Sequence, residues 1–488
     1  MLWFVNTAIL GAEELTMAYT TEPAGTVPAG STHKWRDKKR YLWLVALVMP
    51  SLVFIALGMF TWTGWGIWLW LGPIVILGIV PIIDLLTGLD TSNPPDDLIE
   101  ALENDKYYRW ITFLYLPLQY AGFFVAMWFI ATSTASTIDK VGLAVTVGFI
   151  GGIGINTAHE LGHKKESVER WLSKIALAQS FYGHFYIEHN RGHHVRVATP
   201  EDPASSRMGE NLYVFWPRTV GGSVRSAWRI EKKRYARFNK HPFRLGNDVL
   251  NSWLMTIALW TVTALWLGPV VLPYLVLQAV IAFTLLEAVN FLEHYGMLRQ
   301  KVGAPGHVRY ERVNPSHSWN SNNIATNVLL YHLQRHSDHH ANPTRRYQAL
   351  RDFEESPVLP TGYAGMILLS LVPPLWRKVM DPRVLGHFDG DITLVNLQPR
   401  KSEKLLAKYA VAAPPTTDKL YSDSPVRTVV DNVTSARCPV CNYVYEVAAG
   451  DEHEGFAAGT AWSEIPDAWC CPDCGVREKV DFILTSEP

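Results

Sequence analysis

The chain has 488 residues, is 48% hydrophobic and carries a net charge of −1. That length suggests two or more domains, and a charge so near balance offers no footprint for a nucleic-acid partner. All five cysteines lie in the last 51 residues, which excludes a disulfide framework running through the whole chain.

The first 40 residues read as an N-terminal cytoplasmic segment. Residues 1–31 lack a basic leader and contain Glu13 and Glu14, so they do not resemble a secretory signal; Met17 offers a second possible start. Lys34, Arg36, Lys38, Lys39 and Arg40 follow. Long apolar runs then occupy 41–60, 65–86, 110–131, 141–158, 250–267 and 270–290. Each is long enough to cross a hydrocarbon core of about 30 Å as a helix, and Trp62, Trp65, Trp110 and Trp253 sit near run ends, where interfacial tryptophans belong. Buried helices of a large soluble protein are a poor alternative, because the six runs crowd into the first 290 residues. The segment 164–244 carries 16 Lys and Arg, whereas the loop between runs three and four has only Lys140. The positive-inside rule therefore puts both termini and the long polar segments of this six-span chain in the cytoplasm; the membrane is expected to be an inner, cytoplasmic one of bacterial type.

Fourteen of the 17 histidines fall between His159 and His340. Three clusters stand out: His159-Glu-Leu-Gly-His163, His189-Asn-Arg-Gly-His193-His194 and His336-Ser-Asp-His339-His340. His294 stands alone in Glu293-His-Tyr-Gly, just past the sixth run. Helical spacings of three and four put two imidazoles on one face, as a shared metal requires. A zinc protease would use Glu160 as its base and need only one further ligand; eight or nine imidazoles exceed the demand of one zinc and point to two transition metals. All of them lie on the polar side predicted to be cytoplasmic. Glu160, Glu188 and Glu293 each adjoin a candidate ligand and are placed to orient imidazole N–H groups and offset charge, or else serve as ordinary capping carboxylates. His184, His317 and His332 fit no pair and read as supporting or structural histidines. Ile76 and Gly78 on the second run and Leu285 on the sixth are candidate walls of an apolar channel.

The stretch 396–436 contains Ala-Pro-Pro-Thr-Thr and Ser-Asp-Ser-Pro and reads as a flexible linker between a membrane domain, 41–395, and a small domain, 437–488. In the latter, Cys438-Pro-Val-Cys441 and Cys471-Pro-Asp-Cys474 present four thiolates to one metal, with Cys470 left as a free thiol. Spacing alone does not separate zinc from iron. The aromatic residues between (Tyr443, Tyr445, Phe456, Trp462, Trp469) and the ending Trp-x-Cys-Pro-x-Cys-Gly resemble rubredoxin, which implies one iron. Asn442 stands where rubredoxins usually have glycine, a left-handed position that Asn tolerates next best. From Cys438 onward the net charge is −8, which leaves +7 for the rest; an acidic carrier beside a basic face favours electrostatic encounter.

A one-electron carrier fused to a histidine-rich, two-metal membrane site suggests oxygen activation. The boxes at His159–His163, Glu188–His194 and His336–His340, with Glu293-His294-Tyr-Gly, Leu333-Gln-Arg-His336, 316–322 (Ser-His-Ser-Trp-Asn-Ser-Asn) and Asn93-Pro-Pro, resemble the integral-membrane alkane 1-monooxygenases. Phe291 departs from the tyrosine common there, at the cost of one hydroxyl. The resemblance implies a mainly α, six-helix bundle with a histidine-rich diiron cap. Its irons would be held by His159, His163, His189, His193, His194, His294, His336, His339 and His340. It further implies terminal hydroxylation of medium- or long-chain n-alkanes drawn from the bilayer, using O2 and electrons passed by an NAD(P)H-dependent rubredoxin reductase. A fatty-acid desaturase or hydroxylase with the same iron apparatus is the alternative; a non-catalytic electron carrier or metal store is a third reading.

Overall fold

The computed structural model describes residues 35–303, 308–409 and 432–486. The readings on the leader and on Met17 lie outside the described residues, as does 410–431. The chain divides into Met1–Arg40 and Tyr41–Pro488; in the first, Arg40 N–H closes a turn on the Asp37 carbonyl at 3.2 Å.

Six helices long and apolar enough to cross a membrane span Leu42–Thr63, Gly66–Thr87, Lys106–Thr132, Thr137–Gly162, Asp248–Leu267 and Pro269–Glu293. They contain the six apolar runs almost entirely but extend past several of them, because caps rather than hydropathy set helix ends. Asp105 accepts from the Tyr107 N–H, Ser136 from Asp139 and Asn247 from Val249 and Leu250, satisfying amides that a helix start leaves without partners.

The fourth span is the axle of the bundle. Its most apolar window is 94% buried, against at most 44% in the other five. Glycine permits this. A Cβ on Gly148 would come within 2.6 Å of Ile281 Cβ, and one on Gly152 within 2.7 Å of Leu285 Cδ2, both on the sixth span. Close backbone approach is how membrane helices gain packing energy without a hydrophobic driving force between them. The same contact brings the ends of these spans together, so that the His159–His163 box and His294 belong to adjoining imidazole groups.

After the fourth span the chain forms helices Ser167–Ala178 and Leu212–Arg237, with the second histidine cluster between them in a π-turn, His189–His193. After the sixth come a two-residue ladder (β1, Lys301–Val302, and β2, Arg309–Tyr310), the helix His336–Ala341 and the helices Tyr363–Ser370 and Pro373–His387. The stretch expected to be linker from residue 396 starts as structure: Ser402–Tyr409 is a helix whose Leu405 is buried. Lys401 Nζ donates to the Gly209 carbonyl at 2.7 Å, and the Tyr409 hydroxyl to Asp381 at 3.3 Å. Composition does not show this short helix, because Leu405 packs at Gly209, far along the chain; residues 410–431 of the expected linker lie outside the described residues. The tail is a three-stranded antiparallel sheet in the order β4-β3-β5, from β3 (Val433–Arg437), β4 (Val444–Glu446) and β5 (Ile483–Ser486), over a core of Tyr445, Phe456, Trp462, Trp469 and Phe482.

Candidate metal centre

Nine imidazoles converge in two adjoining groups. His159, His163, His189, His194 and His339 form one, and His193, His294, His336 and His340 the other; within each group one nitrogen of every ring lies within 4.8 Å of the rest. Nε2 atoms face each other at 2.8 Å (His159–His339), 3.0 Å (His189–His194) and 3.2 Å (His194–His339) in the first. In the second the distances are 2.9 Å (His336–His340), 3.2 Å (His193–His340) and 3.3 Å (His294–His336). The rings of His194 and His340, centroids 4.4 Å apart, join the groups.

Helical spacing sorts only some of these residues. His159 and His163 share a group, as do His336 and His340, both pairs four apart. His336 and His339, and also His189 and His193, are split between the groups. The π-turn is the reason for the second split: its wider winding aligns His189 with His194, five residues on, and turns His193 toward the other group. Single π-turns inside α-helices commonly mark functional sites.

The arrangement suits cations. Burial, reinforced by neighbouring imidazoles, holds His163, His189, His194, His336, His339 and His340 well below the ordinary imidazole pKa, and burial does the same to His294. Neutral rings keep a lone pair to donate. Each Nε2 makes at most one such hydrogen bond, so His194 and His339, each facing two neighbours, cannot satisfy both, and among the described residues buried His163 Nε2 has no hydrogen-bond partner. Two irons fit the two groups. Asp202, which no sequence pattern flagged, fixes the tautomer at one imidazole of the second group. Its carboxylate, fully buried, takes the His193 Nδ1–H at 2.8 Å and the Ser205 hydroxyl at 2.6 Å, leaving Nε2 to face inward. Burial opposes its ionisation, yet His193 holds it well below the usual carboxylate range.

The three glutamates part company. Glu160 pairs with Lys164 at 2.9 Å and accepts from the Tyr347 amide, so it braces a loop. Glu188 pairs with Arg196 at 3.1 Å; burial pushes its carboxyl up to about 8. Neither hydrogen-bonds an imidazole among the described residues. Glu293 does approach one, His336, at 3.2 Å. His184 meets Ser223, His317 meets Glu311, and His332 meets the Tyr347 carbonyl, all outside both groups. The remaining motifs are scaffold. The buried Arg335 guanidinium donates to the carbonyls of Asp90, Ser92 and Leu350, and Asn93 bonds both backbone groups of Asp352. Asn320 bonds Ser337 inside the third cluster.

An apolar cavity of about 60 Å³ has walls that include Ile76, Ile153, Leu285, Leu333 and Tyr363, of which Leu333 lies three residues before His336. Gly78 does not line it: two residues on from Ile76 the helix has turned to its opposite side, where Gly78 is exposed.

In the tail, Cys438, Cys441, Cys471 and Cys474 bring their sulfurs within 4.8 Å of one another, a four-thiolate iron site. Asn442 adopts φ 58°, the left-handed turn anticipated for it. Cys470 is outside the set, and burial pushes its thiol up to about 12, which keeps it protonated. The tail rests on the histidine cap through charge pairs. Asp473 accepts from Arg170 at 3.0 Å and Asp481 from Arg312 at 2.6 Å. Glu454, which also accepts from Trp469 of the tail's core, meets Arg237 and Arg191. The second cysteine knuckle itself touches the second histidine cluster: a Cβ on Gly475 would lie 2.4 Å from the Asn190 carbonyl and 3.5 Å from His194 Cβ. Gly475→Asn tests this contact. Asn tolerates the left-handed backbone at φ 70°, so the tail's iron spectrum stays intact, while its side chain collides with Asn190. Stopped-flow reduction of the membrane site from the reduced tail should slow at least about tenfold, the cost of some 1.4 kcal/mol in docking.

A fatty acid desaturase family profile matches residues 140–370, and a rubredoxin profile matches 435–482. Alkane 1-monooxygenase 1 of Alcanivorax borkumensis is 43% identical over 393 residues, covering 80% of this chain and 95% of that protein. Alkane 1-monooxygenase of Pseudomonas putida is 43% identical over 379 residues (78% and 94%), and that of Acinetobacter baylyi 47% over 384 residues (78% and 93%).

Proposed function

Because this chain belongs to the alkane 1-monooxygenase family, we propose that it hydroxylates the terminal methyl of medium- or long-chain n-alkanes to primary alcohols, with O2 as oxidant and electrons from its own rubredoxin tail. The observation that carries this reading is the pair of buried imidazole groups together with an apolar cavity whose wall residue Leu333 lies three residues before His336. Its polar wall groups are otherwise engaged: Asn156 donates to the Leu330 carbonyl, Thr326 bonds Asp84 and the Tyr363 hydroxyl bonds Glu293. An alkane needs no polar handle, since burial yields about 0.8 kcal/mol per CH2. Leu333 lies three residues before the third histidine cluster, and the Tyr363 hydroxyl meets the Glu293 carboxyl beside His294, so a methyl at that end meets the metal centre first. Terminal selectivity then follows from which end of the chain enters.

Bound iron supplies the oxidising power. The protein's residues do the rest: neutral imidazoles fix the metals, Asp202 holds His193 in one tautomer, and the packed spans keep water from the methyl. Electrons enter where the Cys471–Gly475 knuckle meets His194. Reduction of the tail by an NAD(P)H-dependent rubredoxin reductase, and a cytoplasmic location for the histidine cap, are supported by the acidic tail and by the 16 Lys and Arg of residues 164–244.

Purified, chemically reduced protein given labelled n-alkane and 18O2 should yield the 1-alcohol with one 18O. Leu285→Trp, which fills the cavity, should shift the product distribution toward shorter chains, each excluded methylene forfeiting about 0.8 kcal/mol. The desaturase profile match favours one alternative, an acyl substrate. Turnover of acyl chains with no alcohol from alkanes would establish that reading instead.

A further inference from the structure

Eight of the nine imidazoles in the two groups stand on helical backbone. His159 and His163 close the fourth span, His189 to His194 follow the π-turn, and His336, His339 and His340 share one short helix. His294 has no such support. It lies one residue past the sixth span at φ −123° and ψ 8°, and its Nδ1 is 3.5 Å from the Ser318 hydroxyl, the outer limit of a hydrogen bond. A metal ligand must be held to within about 0.5 Å, so the place of His294 depends on the turn that follows it.

Tyr295 pins that turn. It is fully buried; its hydroxyl donates to Asp381 Oδ1 and accepts from the Gly209 N–H, each at 2.9 Å, and its carbonyl accepts from Trp319 Nε1 at 2.9 Å. Both partners of the hydroxyl lie under one element, the helix Ser402–Tyr409. The Tyr409 hydroxyl donates to Asp381 Oδ2 at 3.3 Å and accepts from Lys408 Nζ at 2.7 Å. Lys401 Nζ donates to the Gly209 carbonyl at 2.7 Å, and a Cβ on Gly209 would lie 2.8 Å from Leu405 Cδ1. A buried carboxylate keeps its charge only with donors or a cation beside it; two tyrosine hydroxyls and nearby Lys408 supply them to Asp381.

We propose that Tyr295 is a positioning residue for His294, and that the helix Ser402–Tyr409 is the latch that keeps its hydroxyl in place. The segment leading toward the rubredoxin tail thereby also sets the geometry at one iron, through Asp381 and Gly209. Outer partners of this kind orient metal ligands and tune the metal they hold. The inference rests on His294 as an iron ligand and does not depend on the substrate.

Mössbauer spectroscopy of the full-length protein loaded with 57Fe tests it, with the tail iron as internal reference and thermal stability read alongside. Tyr295→Phe, which removes only the hydroxyl, should shift the component of one membrane iron and leave the other and the tail iron unchanged. It should also release that iron at about tenfold lower chelator concentration, the low end of what losing a ligand's support costs. Leu405→Asp, which unseats the helix, should alter the same component in the same direction. The double variant should be no worse than the more severe single one, because both act through one node. A merely structural role would instead lower stability, affect both membrane irons alike and give effects that add. Membrane components unchanged in Tyr295→Phe, or altered to the same extent, would overturn the positioning role, and an unchanged spectrum in Leu405→Asp would overturn the latch. Wild-type iron content in His294→Ala would overturn the ligand reading on which both rest.

Discussion

Deleting residues 433–488 should abolish NAD(P)H-driven hydroxylation, and a separate rubredoxin added in trans should restore it. The tail's second cysteine knuckle lies on the His189–His194 cluster, so removing it takes away the one-electron donor at its point of delivery. The net charges of −8 and +7 are resolved in the structure as particular pairs, among them the largely buried Glu454 with Arg191 and Arg237. Burial opposes its ionisation, but Arg191 in particular holds the Glu454 carboxyl well below the usual carboxylate range; the pair stays charged throughout the working pH range. Truncating one partner of such a pair costs about 2–5 kcal/mol. Glu454→Ala should therefore weaken docking in trans by a factor of about thirty or more, and in the fused protein by less, because the tether supplies local concentration. Raising salt should slow the trans reaction more than the fused one, since exposed charge is screened over about 8 Å at physiological ionic strength. Undiminished turnover of the truncated protein with no carrier added would mean that electrons enter elsewhere.

His294→Ala should reduce turnover to background while the tail keeps its iron absorption. His294 follows the last residue of the sixth span and is fully buried, with Nε2 3.3 Å from His336 Nε2. Its group has four imidazoles, so one loss leaves three, and iron content should fall from three per chain toward two. The span's packing against the fourth helix lies further along, at Gly148 and Gly152, which is why the bundle should survive. Metal analysis with the visible spectrum separates this outcome from unfolding, in which all membrane iron goes. Wild-type turnover in the purified variant would show that His294 holds no iron.

Much of this protein is written locally in its chain. Six apolar runs are membrane helices because hydrocarbon admits only segments that satisfy their own backbone. The histidine and cysteine donors announce themselves by residue type and close spacing, and Asn442 by its place after a knuckle. Tertiary structure decided what spacing leaves open. The π-turn at His189–His193 sends neighbouring histidines to different groups, and no count of residues shows where a helix widens by one. Asp202 became a support of His193 only when the chain folded back nine residues later. Glu160 and Glu188, equal to Glu293 by adjacency, found Lys164 and Arg196 instead, because a side chain's direction depends on what packs beside it. Gly78 faces outward where Ile76 faces in, and Leu405 turns the start of an expected tether into a docked helix. Adjacency along the chain selects the candidate donors; the angle at which each helix meets its neighbours determines which of them share a metal.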